Sequence, residues 1–285
     1  MILESAEQGA VQLHNIAQAR PVPGRAGLRL QRVPEQVRLC LNEKAQQRML
    51  SPACAEIRFV SGASPVRLTL SSGETTDVVP FFGLFQSRER YTIGPEPQPI
   101  EVALPERVAQ LDPSFCSAMP FSPRVARLLL AGGPLYVHDI EGEGLRPPTA
   151  DELPSLRYLA YGTSITHGAA ATGPHLTYAA QTARRLGADL INLGVGGSAY
   201  CEPELADYIA GRGDWHVASL ALSVNMIGAG FGLDEFYERV SYMVNTVSGA
   251  NTERPVVCIT IYPHFREFGP QFANPDAKGT PEILY

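Results

Sequence analysis

The feature that most constrains the fold is a regular alternation of apolar runs and helical patterns after about residue 150. Four nearly continuous apolar runs predict strands, at 156–161, 189–193, 217–223 and 255–261. Three intervening segments carry apolar residues at helical spacing and predict helices, at 174–186, 202–209 and 233–247. Buried strands that alternate with helices indicate a parallel sheet covered on both faces. In such sheets, ligands bind outside the carboxyl ends of the strands.

The first half of the chain has a different pattern. Seven short segments of roughly period two predict strands, at 37–41, 56–60, 66–70, 78–85, 100–104, 125–130 and 135–140. Gly- and Pro-rich joints separate them, which favours an antiparallel, jelly-roll-like all-β sandwich. The segment 143–154 holds three prolines and is typical of a linker. We therefore expect a β-sandwich domain over 1–150 and an α/β domain over 151–285.

Composition excludes several classes of function. The formal charge is −6 and no cluster of Lys and Arg appears, so no nucleic-acid partner is expected. No apolar run reaches the ~18 residues of a membrane span and no signal-like apolar segment opens the chain, so we expect a cytoplasmic protein without a membrane partner. The five cysteines lack CxxC spacing, and neither a metal site nor a cofactor is indicated. The oligomeric state stays open.

Small residues flank a serine directly after the first predicted strand of the α/β domain. The segment Gly162-Thr163-Ser164-Ile165-Thr166-His167-Gly168 would form a sharp strand-to-helix turn that exposes the serine hydroxyl near a helix N-terminus. Such a turn suits a nucleophile. A serine that merely caps a helix is the alternative reading.

Glycines and an asparagine follow the next two strands. Residues 192–198 read NLGVGGS, and their glycines would let backbone N–H groups approach a ligand, as an oxyanion hole requires. A phosphate-binding loop also uses glycines, but neither GxxxxGK[ST] nor GxGxxG is present. Asn225 follows the third strand and could donate a second hydrogen bond to an oxyanion, although an asparagine there is commonly a turn residue. All three signals fall at carboxyl ends of successive strands, where one pocket would gather them.

Together these blocks resemble the first three signature blocks of the SGNH (GDSL-like) hydrolase superfamily, in the branch with GTSITHG as its first block. The resemblance covers residues 156 to about 265. It implies a flavodoxin-like three-layer α/β/α domain in which Ser164 is the nucleophile. It also implies an oxyanion hole from the N–H groups of Ser164 and Gly197 and the amide of Asn225, with Gly196 as an alternative to Gly197.

The sequence departs from the family pattern at three places. Thr163 stands where the GDS form has aspartate, and Met226 stands where an aspartate often follows the asparagine. The fourth block, an Asp-x-x-His that supplies the general base, is not found after residue 261, and we interpret the α/β domain as one whose chain ends early. His264 is a candidate base or pocket-wall residue. His167 is interpreted as a structural or substrate-contacting residue.

Two functions remain. The first is a serine ester hydrolase, expected to be a short-acyl esterase with carbohydrate deacetylation as a narrower alternative, acting on a small ester or an acetylated carbohydrate. The second is a catalytically inactive relative or a module that binds a glycan or a protein partner. The resemblance favours the first.

Overall fold

Three β-sheets organise residues 10–261, the part of the chain that the computed structural model describes. Two of them are antiparallel and are built from eleven strands: β1 (Gln12–His14), β2 (Gln18–Val22), β3 (Arg25–Gln31), β4 (Glu56–Phe59), β5 (Val66–Ser72), β6 (Thr76–Phe82), β7 (Phe85–Gln86), β8 (Tyr91–Ile93), β9 (Gln98–Val102), β10 (Ala126–Leu130) and β11 (Leu135–Glu141). One sheet has the order β1-β4-β10-β6-β7, with β8 also paired to β6, and the other has the order β2-β3-β11-β5-β9.

The two antiparallel sheets share one hydrophobic core. Strand β5 alternates, so that Val66, Leu68 and Leu70 are fully buried on one face. They belong to the same cluster of buried side chains as Ile57 and Leu128 of the other sheet. A period-two pattern with one buried face is what an antiparallel sandwich requires.

The third sheet is parallel and contains β12 (Arg157–Gly162), β13 (Asp189–Gly194), β14 (Val217–Ala221) and β15 (Val256–Ile259). Its order is β13-β12-β14-β15, which matches the start of the flavodoxin-like order 2-1-3-4-5. Because Gly162 pairs with Gly194 and Tyr161 with Leu220, the carboxyl ends of β12, β13 and β14 lie at one edge.

Nine α-helices complete the described chain: α1 (Glu35–Cys40), α2 (Glu43–Arg48), α3 (Glu106–Ala109), α4 (Pro113–Ser117), α5 (Ser164–His167), α6 (Tyr178–Leu186), α7 (Pro203–Gly211), α8 (Val224–Gly228) and α9 (Leu233–Gly249). Leu159 and Tyr161 of β12 pack with α7 and α9, whereas Tyr158 and Ala160 pack with α6. The predicted three-layer α/β/α arrangement is thus confirmed.

The strand prediction for 37–41 was wrong, because this segment belongs to helix α1. Val37 and Leu41 are four residues apart, so both reach a core from one helical face, while Leu39 between them is 55% exposed. The alternating sequence fitted both periods. The three strands between 12 and 31 were not predicted.

The segment that contains α1 and α2 packs against the α/β domain. Its buried side chains Val33, Leu41, Ala45 and Met49 lie in the same cluster as the β13 and α7 residues. A stretch of the first half of the chain therefore contributes to the core of the second. The domain boundary near residue 150 stays a prediction. No helix within residues 10–261 is both long and apolar enough to cross a bilayer.

Candidate active site

Ser164 lies at the strand-to-helix turn that follows β12. Thr163 is buried and precedes the helix in an extended conformation, and Ser164 is the first residue of α5. The Thr163 carbonyl accepts from the His167 N–H at 2.9 Å, which closes this short helix. Ser164 is half-buried, and no side chain within residues 10–261 hydrogen-bonds to its hydroxyl.

Helix α5 packs directly on the backbone of β13 at Gly194. A Cβ at that position would lie 2.2 Å from the His167 nitrogen, so only glycine permits this contact. Asn192 connects the same two elements: its Nδ2 donates to the Thr166 carbonyl at 2.7 Å and its Oδ1 accepts from the Gly194 N–H at 2.8 Å. The first and second blocks therefore form one rigid unit.

The loop after β13 turns at Gly197, whose φ of +72° lies in the left-handed region that favours glycine. Two hydrogen bonds connect this loop to the end of β14. The Ser223 hydroxyl donates to the Ala199 carbonyl at 2.7 Å, and the Ala199 N–H donates to Asn225 Oδ1 at 3.1 Å. The second and third blocks are therefore in contact, as the shared sheet edge requires.

His167 is a structural histidine in this arrangement. Its Nδ1 lies 3.0 Å from the Gly194 carbonyl, which can only accept, and 3.3 Å from Arg32 Nη2, which can only donate. We assign the proton to Nδ1 because the carbonyl contact is the shorter one, and Nε2 then accepts from the Ser51 hydroxyl at 3.4 Å. Burial, together with the charges of Arg32 and Arg48, lowers the pKa of His167 to about 3. The ring is neutral at physiological pH, and neither nitrogen faces Ser164.

Side chains from the first half of the chain reach this site. Buried Arg32 donates to the carbonyls of Asn192 at 3.1 Å and Ser51 at 2.6 Å. Arg48 donates to the Gly196 carbonyl at 3.2 Å, and Asn42 donates to the Ser198 carbonyl at 3.0 Å. The loop that contains Gly196 and Gly197 is thus enclosed on its outer side by α2.

Sequence reasoning had assigned no role to Asn192, Asn42, Arg32 or Arg48. Asn192 had a visible signal, because it is a polar residue inside an apolar strand and is fully buried. The other three had none, since they are more than 140 residues distant in sequence from the carbonyls of the glycine loop and β13 that they bind.

His264, the predicted candidate base, lies outside the described residues. Among residues 10–261 no group of three or more His, Cys, Asp or Glu side chains is arranged to hold a metal ion.

Comparison with known proteins places the parallel-sheet domain in a family. Residues 157–270 match the sequence model of the GDSL-like lipase/acylhydrolase family. None of the curated proteins matches the chain significantly in sequence. The part of the chain that contains the parallel sheet therefore matches an SGNH-type hydrolase family model, the class predicted from its three blocks.

Solved structures share the fold over most of the chain at low sequence identity. The chain is similar to the salicylyl-acyltransferase SsfX3 from a tetracycline biosynthetic pathway, with a TM-score of 0.70, 16% identity, and coverage of 90% of this chain and 73% of that one. It is similar to a GDSL-like lipase from Bacteroides ovatus ATCC 8483, with a TM-score of 0.55, 15% identity and coverage of 90% and 71%. It is also similar to a family two carbohydrate esterase from Cellvibrio japonicus, with a TM-score of 0.53, 14% identity and coverage of 90% and 78%. These likenesses extend the shared fold to the β-rich region.

Proposed function

We propose that this protein is a serine ester hydrolase that forms an acyl-enzyme on Ser164. In this proposal the oxyanion hole consists of the N–H groups of Ser164 and Gly197 and the side-chain amide of Asn225. The family match supports ester hydrolysis in general, and the arrangement of the three strand ends supports the assignment of these residues.

The orientation of the Asn225 amide is the observation that carries the proposal. Its Oδ1 accepts the Ala199 N–H, so the amide oxygen is directed to the loop and Nδ2 remains available as a donor. A turn asparagine would use its oxygen on its own backbone two residues further on. An amide whose oxygen is held by another loop is instead suited to donate to a bound ligand.

The reaction follows from these positions. Ser164 Oγ would attack the carbonyl carbon of an ester while a base takes its proton, and the carbonyl oxygen would become an oxyanion held by the three donors. Collapse of this intermediate would release the alcohol and leave an acyl group on Ser164. Water, activated by the same base, would then release the acid.

The base has to be a residue other than His167, because its pKa of about 3 makes it a weak proton acceptor and its two ring nitrogens already contact Gly194 and Ser51. The family's Asp-x-x-His block is the expected source. His264 remains a second candidate, and the variant His264→Ala distinguishes the two.

For the substrate we propose a small ester with a short acyl group. Ile165 follows the nucleophile candidate and Val224 precedes Asn225, and both are exposed apolar side chains that would be available to contact a short acyl group. The likeness to a carbohydrate esterase supports testing acetylated sugars, and the likeness to a salicylyl-acyltransferase supports testing transfer to an alcohol other than water.

The test measures hydrolysis of 4-nitrophenyl acetate and of an acetylated xylose oligosaccharide by the protein. Ser164→Ala should remove nearly all activity, and a serine-directed phosphonate should modify the peptide that contains Ser164, as read by mass spectrometry. Ser241→Ala is the matched control, since Ser241 is a half-buried serine of α9 in the same domain. Retained turnover or labelling in Ser164→Ala would refute the nucleophile assignment.

The same assay separates the competing functions. Added alcohol acceptors that yield ester product in place of acid would indicate an acyltransferase. A wild-type protein that neither turns over esters nor reacts with the phosphonate would favour the inactive relative or binding module.

A further inference from the structure

Helix α2 belongs to the first half of the chain, yet its side chains bind the backbone of the glycine loop. Arg48 Nε donates to the Gly196 carbonyl at 3.2 Å, and the Lys44 ammonium lies so near Gly197 that a Cβ there would be 2.6 Å from it. Asn42, which caps α2 through Ala45, donates to the Ser198 carbonyl. These contacts connect α2 and its N-cap residue to the loop that contains Gly197 of the proposed oxyanion hole.

The Arg48 contact acts on a particular peptide group. The Gly196 carbonyl and the Gly197 N–H belong to the same planar peptide, and no cis peptide occurs in the described chain. The two bonds of a trans peptide point in opposite directions. A guanidinium that holds the Gly196 oxygen towards α2 therefore turns the Gly197 N–H away from α2.

A peptide between two glycines needs such a contact. Neither residue has a Cβ to restrict rotation of the peptide plane, and Gly197 already adopts a left-handed conformation at φ +72°. In residues 10–261 the Arg48 guanidinium makes no ion pair that would compete for it. A hydrogen bond from a charged donor is stronger than a neutral one and polarises the N–H at the other end of the peptide.

The peptide two residues further along the loop shows the same arrangement, with a hydrogen bond at both its C=O and its N–H. Asn42 Nδ2 donates to the Ser198 carbonyl at 3.0 Å, and the N–H of that peptide, Ala199 N–H, donates to Asn225 Oδ1 at 3.1 Å. A side chain of the first domain thus fixes one peptide, and that peptide fixes the amide of Asn225. The Arg48 contact repeats this geometry two residues earlier.

We propose that Arg48 is a positioning residue that orients the Gly197 N–H for the oxyanion, and that Asn42 does the same for the Asn225 amide through Ala199. This inference rests on the proposed function. It gives the α1–α2 segment a role in catalysis, since Arg48 and Asn42 would orient two of the three donors of the oxyanion hole.

Two substitutions at Arg48 separate the hydrogen bond from other effects. Arg48→Met keeps the length of the side chain to its ε atom but has no donor, whereas Arg48→Gln places a neutral N–H donor the same number of bonds from Cα. We expect kcat for 4-nitrophenyl acetate to fall roughly tenfold or more in Arg48→Met, less than the ~10²–10³-fold of complete donor loss, with KM unchanged. Arg48→Gln should recover most of that loss. Gln47→Met is the control, because Gln47 is an exposed neighbour on α2 whose side chain makes no hydrogen bond within residues 10–261.

A second measurement does not depend on activity. In protein labelled with ¹⁵N-glycine, the Gly197 amide cross-peak is identified by its loss in Gly197→Ala. Loss of the hydrogen bond to the Gly196 carbonyl should move its ¹⁵N shift upfield in Arg48→Met and restore it in Arg48→Gln. An unmoved cross-peak in Arg48→Met, or a moved cross-peak with unchanged kcat, would overturn the positioning role. An inactive wild type with a moved cross-peak would instead reject the proposed function and keep the peptide orientation.

Discussion

The first half of the chain contacts the parallel sheet near both ends of strand β13, and the two contacts differ in chemistry. At the amino end of β13, buried charged side chains meet: Arg58 of β4 donates to both oxygens of Asp189, at 2.7 and 2.6 Å. At the carboxyl end, side chains of the α1–α2 segment donate to backbone carbonyls of the glycine loop. The first contact is chiefly a set of ion pairs between side chains, and the second consists chiefly of hydrogen bonds from side chains to main-chain carbonyls.

The ionic contact is fully enclosed. Arg58 also donates to Glu56 at 2.7 Å, and Glu56 pairs with Arg127 at 2.5 Å. Burial alone would raise the pKa of Glu56, but Arg127 and Arg58 outweigh it and hold that pKa well below its ordinary value. Burial would likewise raise the pKa of Asp189, and Arg58 and His14 outweigh it. Each of these buried charged side chains is therefore stabilised by the opposite charges of its neighbours.

The main-chain contact is of the opposite kind. Arg48 and Lys44 are exposed, and the atoms that they approach belong to the loop of the proposed oxyanion hole. Removing such a contact strands no buried charge, so the fold should tolerate it. Different residues therefore attach the first half of the chain to the sheet and shape the proposed site, and mutations should separate the two effects.

The largest effect expected is on stability, from Asp189→Ala. This substitution leaves Arg58 buried without its bidentate partner, and breaking a buried pair on one side costs about 3–5 kcal/mol of unfolding free energy. Urea denaturation measures the loss. Because Asp189 opens β13 at the edge opposite the site, kcat per folded molecule should be unchanged.

A paired substitution sharpens this test. In Arg58→Met/Asp189→Leu both charges are removed, and apolar replacement of a whole buried pair is often close to neutral. The double variant should therefore be more stable than Asp189→Ala, although Glu56 then keeps only Arg127. A double variant less stable than Asp189→Ala would show that the remaining carboxylate needs Arg58.

The converse effect is expected from Asn225→Ala. Loss of one oxyanion donor should lower kcat about 10²–10³-fold. Urea denaturation should show a smaller loss of stability than Asp189→Ala, about 1–3 kcal/mol, because only the buried Ala199 N–H loses its partner. Asn225→Asp is the matched control, since a carboxylate still accepts from Ala199 N–H but cannot donate to an oxyanion. A loss of less than about fivefold in either variant would leave Asn225 as a turn residue.

The parallel-sheet domain was readable from sequence because its signals are local. Strands β12 to β14 are short apolar runs, and their ends carry Ser164, the glycine loop and Asn225 within a few residues. Helix α6 was expected to begin at Pro174, and a separate 3₁₀ turn occupies 174–176 before it. The site could be proposed from these positions since strand order places three ends at one edge.

The contribution of the first half of the chain was not readable, for a physical reason. Arg32 and Arg58 are fully buried, and the partners that join them to β13, the Asn192 carbonyl and Asp189, lie more than 130 residues away and have no pattern in the local sequence. The spacing of apolar residues in 37–41 is compatible with both a strand and a helix, and packing against α7 favours the helix. Long-range polar pairs of this kind are set by tertiary structure alone.

The smallest effect expected is a pH dependence of stability that arises from His167, the histidine between the two blocks. Its pKa is about 3 in the folded protein, against an ordinary value of 6.5, because burial, Arg32 and Arg48 disfavour the charged ring. Between these values the unfolded chain binds a proton that the native state does not, so acid favours unfolding. The unfolding free energy should fall as pH drops from about 6.5 to 4.5, with a slope of up to ~1.4 kcal/mol per pH unit from this group.

The variant His167→Asn keeps a donor for the Gly194 carbonyl but cannot be protonated, so its curve of unfolding free energy against pH should be flatter than that of the wild type. His14, whose pKa is also lowered by burial, acts in the same sense in both proteins and cancels in the difference. Parallel curves for the two proteins would mean that water reaches His167, which would open the unit formed by α5 and β13.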